Sequence, residues 1–233
     1  GVSVSGSEDT EVIYQPIFEI AGLSGAVYEI RAAEDIITPD GTVRFTKGEV
    51  VDTVTTGKDG LAKSRELYLG KYEVKEIKAP YGMVLNDEIH TAELVYAGQN
   101  VSVTETATSF VNERQKVEIS LKKTLETNNL FGIGQNGELK NISFGLFAAE
   151  ELVSASGTSI PADGLIEIVT LDESGNGTVK TDLPMGGYYV KELATDEHYI
   201  LSATKYPVTF EYAGQETAKV QLAVNDGEAI END

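Results

Sequence analysis

Three segments of the chain recur at one constant offset. Ala32-Ala33-Glu34-Asp35 returns as Ala148-Ala149-Glu150-Glu151, Val74-Lys75-Glu76 as Val190-Lys191-Glu192, and Tyr96-Ala97-Gly98-Gln99 as Tyr212-Ala213-Gly214-Gln215, each pair 116 residues apart. A period this long marks duplicated domains, because solenoid units repeat every ~20–50 residues. The 233 residues divide accordingly into two modules, 1–114 and 115–233, with the boundary at Glu113-Arg114-Gln115. Each module is long enough to bury a core of its own.

Within each module the hydrophobic period is two. Val117, Ile119 and Leu121 alternate with polar residues, as do Tyr72 and Val74, and again Tyr206, Val208, Phe210 and Tyr212. That is the signature of strands with one buried face. Turn residues punctuate them at Pro39-Asp40-Gly41, Lys58-Asp59-Gly60, Ser174-Gly175-Asn176-Gly177 and the two Ala-Gly-Gln segments. Many short strands separated by such turns specify an all-β sandwich. Short helical turns are expected over Ala32–Ile36 and Ala148–Leu152. The acidic end, Asp226 to Asp233, reads as a linker.

Composition narrows the function classes. Eighteen basic residues against 38 acidic ones give a net charge of −20, which argues against nucleic acid or an anionic membrane surface as partner. No apolar run approaches the ~18 residues of a membrane span. With no cysteine there is no disulfide, thiolate metal site or cysteine nucleophile. His90 and His198 sit at non-equivalent positions, so no metal or other cofactor site is expected of them. Asp172 to Gly177 resembles the start of a calcium loop, but Leu183 occupies the twelfth position where a glutamate is needed, so a hairpin turn is the expectation. No nucleophile-elbow, P-loop, dinucleotide-binding or zinc-hydrolase motif appears.

One stretch is more specific. Gly70-Lys71-Tyr72-Glu73-Val74-Lys75-Glu76-Ile77-Lys78-Ala79-Pro80-Tyr81-Gly82 resembles the strand-and-turn motif of Cna protein B-type and SpaA-type pilin domains. Leu23-Ser24-Gly25-Ala26-Val27-Tyr28 is similar to an early strand of that family, and Ser109-Phe110-Val111-Asn112-Glu113 to its closing strand. The second repeat carries Gly186-Gly187-Tyr188-Tyr189-Val190-Lys191-Glu192, with Thr195-Asp196-Glu197-His198-Tyr199 in place of the Ala-Pro turn. The resemblance implies two tandem prealbumin-like (transthyretin-like, Ig-like) β-sandwiches. It also implies a stalk module of an extracellular, cell-wall-attached adhesin or pilin of Gram-positive bacteria, a monomer whose partners are the neighbouring modules of the same protein.

The resemblance further implies a covalent Lys–Asn bond between first and last strands, assisted by a buried glutamate. The chemistry is sound on its own terms. Burial lowers a lysine pKa and frees the amine to attack a carboxamide, and a carboxyl in the same core can relay the protons. In the second module Lys123 shares parity with Val117, Ile119 and Leu121, while Lys122 should face solvent. Glu192 shares parity with Tyr188 and Val190. The family motif makes Asn225 the acceptor, whereas strict alternation from Val220, Leu222 and Val224 points Asp226 inward, and the two stay open. The first module has Glu76 and Asn112 but no lysine before Lys47, and alignment places Gln15 at the nucleophile position. An amide nitrogen is no nucleophile at neutral pH, so the first module is expected to form no such bond and to hold Glu76 and Asn112 by hydrogen bonds, with Gln15 a candidate partner. A bond of this kind is a single-turnover maturation step, so the chain is not expected to be an enzyme. The alternative function is a binding module for a host protein or a glycan.

Overall fold

In the computed structural model, which describes residues 2–3, 12–100, 104–153 and 159–232, the alternating segments form strands. The described residues contain no α-helix and two short 3-10 turns, Glu138–Asn141 and Val224–Gly227. The helical turns expected after Ala32 and Ala148 do not form. Both alanines end strands and are buried there, and so short a run cannot offset the cost of nucleating a helix.

The chain divides into two compact units, one of residues 19–115 and 213–218, the other of residues 1–18, 116–212 and 219–233. The chain begins with β1 (Val2–Ser3) and β2 (Ile13–Tyr14), which belong to the second of these. Residues 1–18 thus go with the second repeat, because Ile13 pairs in parallel with Leu165 and Tyr14 packs against the second unit's core.

The unit built on the first repeat contains β3 (Val27–Ala32), β4 (Ile36–Ile37), β5 (Val43–Phe45), β6 (Val50–Thr55), β7 (Gly70–Lys78) and β8 (Ile89–Leu94). Four of them form an antiparallel sheet in the order β6-β3-β7-β8, and β4 pairs with β5. Ile30, Ala32, Ile36, Val51 and Tyr72 make up its buried cluster. Gln115, read from the sequence as part of the boundary, is buried in this unit. Its side chain accepts from the Ala213 N–H and donates to the Gly214 and Thr217 carbonyls.

The unit built on the second repeat contains β9 (Lys116–Leu125), β10 (Ser143–Ala148), β11 (Leu152–Val153), β12 (Ser159–Ile160), β13 (Leu165–Thr170), β14 (Asn176–Val179), β15 (Gly186–Ala194), β16 (Lys205–Phe210), β17 (Lys219–Ala223) and β18 (Ile230–Asn232). One sheet runs β1-β2-β13-β10-β15-β16. The other runs β14-β9-β17, and β18 also pairs with β9. Ile119 and Leu121 from the second sheet pack with Phe144, Leu146, Tyr188, Val190 and Val208 from the first, so the core is the space between two sheets. The end of the chain, read from the sequence as linker, contributes β18, and its Ile230 is buried in this core.

The duplication is visible at a pair of equivalent glycines. A Cβ on Gly70 would lie 2.6 Å from Ile36 Cδ1, and one on Gly186 would lie 2.8 Å from Leu152 Cδ2. Both start the glutamate-bearing strand of their unit, at φ 152 and 155, where a side chain has no room.

Candidate functional site

Strand β9 carries Ile119, Leu121 and Lys123 on its buried face, with Lys122 exposed between them, as alternation requires. Lys123 is 1% exposed and Glu192, on β15 of the facing sheet, is 3% exposed. The Lys123 Nζ lies 4.0 Å from Glu192 Oε2. Burial pushes the Lys123 pKa below the ordinary lysine value, and the carboxylates of Glu192 and Glu231 oppose that shift. A lysine held this way has an amine that is neutral, and so nucleophilic, for more of the time than a surface lysine's. The nearby carboxyl is placed to take and return a proton. Tyr206, paired with Val190 across β15 and β16, has its phenol pushed up by burial and then by the charge of Glu192.

Position 123 is also fixed through the backbone. Its N–H donates to the Gly175 carbonyl at 2.7 Å. Gly175 has a φ of +82, and a Cβ there would lie 2.1 Å from the Lys123 carbonyl oxygen. The turn that contains it is closed by Asp172, whose Oδ1 accepts from the N–H groups of Ser174 and Asn176. The calcium-like segment is therefore a tight turn leading from β13 in one sheet to β14 in the other, and it buttresses the lysine.

The acceptor positions from the sequence lie elsewhere. Asn225 and Asp226 are exposed on the 3-10 turn after β17, with left-handed φ values of 57 and 54, followed by Gly227 at 82. Asn225 Nδ2 faces the Glu228 carbonyl at 3.5 Å. The structure thus brings Lys123 and Glu192 together and leaves Asn225 and Asp226 on a solvent-facing turn. The cause is chemical: Asn, Asp and Gly tolerate positive φ, so Asn225-Asp226-Gly227 turns where a continuous strand was read. The Asp-Gly pair was the available signal.

In the first unit Glu76 is fully buried on β7. Its Oε1 accepts from Asn112 Nδ2 at 2.6 Å and from the Asn86 N–H at 2.9 Å. Asn112 also donates to the Val84 carbonyl. The Tyr28 phenol is pushed up to about 12, first by burial and then by the charge of Glu76. Gln15 does not join this pair, because it lies just after β2 in the other unit and is exposed. No lysine stands beside Glu76 and Asn112 among the described hydrogen bonds and ion pairs.

The two histidines are held locally. His90 Nδ1 and Nε2 meet Thr108 Oγ1 and Glu88, and its ring stacks on Phe110. His198 Nδ1 is 2.6 Å from Asp196 Oδ1, while Asn141 Nδ2 donates to Asp196 Oδ2. Among the described residues no cluster of three or more His, Asp or Glu could hold a metal ion.

The sequence model of the SpaA prealbumin-like fold domain matches this chain twice, over residues 19–109 and 117–225. The chain belongs to the SpaA prealbumin-like family. The trypsin-resistant surface T6 protein of Streptococcus pyogenes serotype M6 is 30% identical over 118 residues, which is 50% of this chain and 21% of that protein. Among solved structures the TIE protein of Bacillus anthracis matches 91% of this chain and 31% of its own length, at 23% identity and a TM-score of 0.53. GBS52, a minor pilin of Streptococcus agalactiae, is 17% identical with a TM-score of 0.32, covering 98% of this chain and 92% of its own. The chain thus spans less than a third of the T6 and TIE proteins.

Proposed function

We propose that this chain is a load-bearing pair of stalk modules in an extracellular, cell-wall-attached protein of the adhesin or pilin type. In this reading the second unit is stiffened by a self-formed isopeptide bond from Lys123 to a carboxamide near the chain's end, with Glu192 as proton relay. The observation that carries it is the pairing of a fully buried lysine with a fully buried glutamate, 4.0 Å apart, on facing sheets. A buried charge pair is by itself weak evidence of stability, since apolar residues of the same volume often serve better. Covalent chemistry gives the pair a purpose. The relation to a streptococcal surface protein supports an extracellular setting, and the partners would be neighbouring modules of the same assembly.

The mechanical consequence follows from topology. β9 opens the second repeat and β18 closes it, side by side and parallel. A bond between them carries tension from one end of the module to the other without loading the strands in between. The first unit, whose buried glutamate is hydrogen-bonded to Asn112, would remain extensible. Pulling single molecules by their termini tests this. Wild type should show one unfolding extension, from the first unit, and Lys123→Ala should add a second. Equal extension in both proteins would defeat the proposal.

A further inference from the structure

The crosslink needs an acceptor, and the register of the last strand points to one that no sequence motif suggested. We propose that Lys123 is joined to Asn232, an inference that rests on the crosslink reading above. Three observations carry it.

The first is the ladder on β9. Its partners on β17 run from Lys219 opposite Lys116 to Ala223 opposite Ser120, a numbering difference of 103. On β18 they run from Ile230 opposite Lys123 to Asn232 opposite Leu125, a difference of 107. Four residues are therefore inserted between the two stretches. Simple continuation of β17 would have set Asp226 opposite Lys123. Instead the insertion loops out as the turn holding Asn225 and Asp226, and Ile230 takes that place. Bringing Asn225 to the lysine would require undoing both the turn and the pairing of Ile230 with Lys123.

The second is parity. Ile230 is 1% exposed and Glu231 is exposed, so position 232 shares the strand face of Ile230, which is the core side where Lys123 is buried. The third is reach. Asn232 is the diagonal neighbour of Lys123 across parallel strands. With strands ~4.8 Å apart and ~3.3 Å of rise per residue, the two Cα atoms are separated by about 8 Å. A lysine stem and an asparagine side chain together span that gap. The influence of Glu231 on the Lys123 amine agrees with the terminal strand passing close to it.

The step balances without an outside reagent. The neutral Nζ attacks the Asn232 Cγ, the Nζ–Cγ bond forms and the Cγ–Nδ2 bond breaks. Glu192 takes a proton from the nitrogen of the tetrahedral intermediate and returns it to Nδ2, which leaves as ammonia, a loss of about 17 Da.

Intact-mass measurement of the whole chain and its variants, under denaturing conditions, decides the matter. Asn232→Ala should restore the full calculated mass, and Asn225→Ala should keep the deficit. Asn232→Asp guards against misfolding as an explanation, since its reaction would expel water and change the deficit to about 18 Da, whereas Asn225→Asp would leave it at about 17 Da. Peptide mapping should recover residue 232 linked to Lys123. A deficit that survives Asn232→Ala and vanishes with Asn225→Ala or Asp226→Ala overturns the assignment while leaving the crosslink standing. Full mass in the wild type overturns both.

Discussion

Replacing Lys123 with methionine removes the nucleophile and keeps an unbranched apolar stem of similar length in its buried site on β9. The expected effect comes mainly from the unfolded chain. A bond from Lys123 to Asn232 closes a loop of about 110 residues, and a crosslink over a loop of that size stabilises by about 5 kcal/mol through lost chain entropy. Removing a buried charge works in the opposite direction, while Glu192 would lose its nearest cation. For a unit of this size each kcal/mol corresponds to roughly 3–5 °C in Tm, so the second unit's transition should fall by roughly 15–25 °C. Differential scanning calorimetry of wild type and Lys123→Met measures this, with the first unit's transition as internal reference. A fall of under about 5 °C, in a protein whose wild type carries the 17 Da deficit, would refute the entropic reasoning even though the bond exists.

Further outcomes are expected. Gly175→Ala places a methyl 2.1 Å from the Lys123 carbonyl oxygen at a φ of +82, so denaturant unfolding should show a loss of more than about 1 kcal/mol, and a neutral result would mean the turn does not hold the lysine's backbone. Asn112→Ala removes a donor from the buried Glu76, and should destabilise the first unit by about 1–3 kcal/mol while leaving the intact-mass deficit unchanged. His198 has its pKa raised above 6.5, chiefly by its hydrogen bond to Asp196, so its contribution to stability is full below pH 6.5 and is lost as pH rises through the raised value. Asp196 is held below 3.8, first by Asn141 and then by His198, so its contribution is present above pH 3.8 and is lost as pH falls through the lowered value. Melting temperatures of the second unit should therefore be best supported by this pair between those limits, and His198→Ala should flatten the alkaline side of the profile. An unchanged alkaline side would remove the pair from the account.

The duplication, the strand class and the inward parity of Lys123, Glu192 and Glu76 were legible because each rests on a local period that the sheets preserve. The parts that were not legible depend on departures from that period or on distant pairing. Alternation from Val220 through Val224 pointed Asp226 inward, and the inserted turn defeated it. The three-residue strand β18 was hidden in an acidic tail, where only Ala229 and Ile230 are apolar. Gln15 was assigned by alignment to the first module, but the parallel pairing of Ile13 with Leu165 ties its strand to the other unit. Nothing local to residues 13–15 signals a partner about 150 residues away. The support of Lys123 by Gly175 was likewise out of reach, because the sequence shows a turn at 174–177 but not which strand it meets.

The central claim is that the buried Lys123 is covalently bonded. The most direct test is the intact mass of the unmodified chain after complete denaturation and desalting, which removes every non-covalent contact. The account predicts a mass about 17 Da below that calculated from the sequence, and the calculated mass itself after Lys123→Ala. A wild-type mass equal to the calculated one would contradict it, leaving Lys123 and Glu192 as a buried ion pair and nothing more.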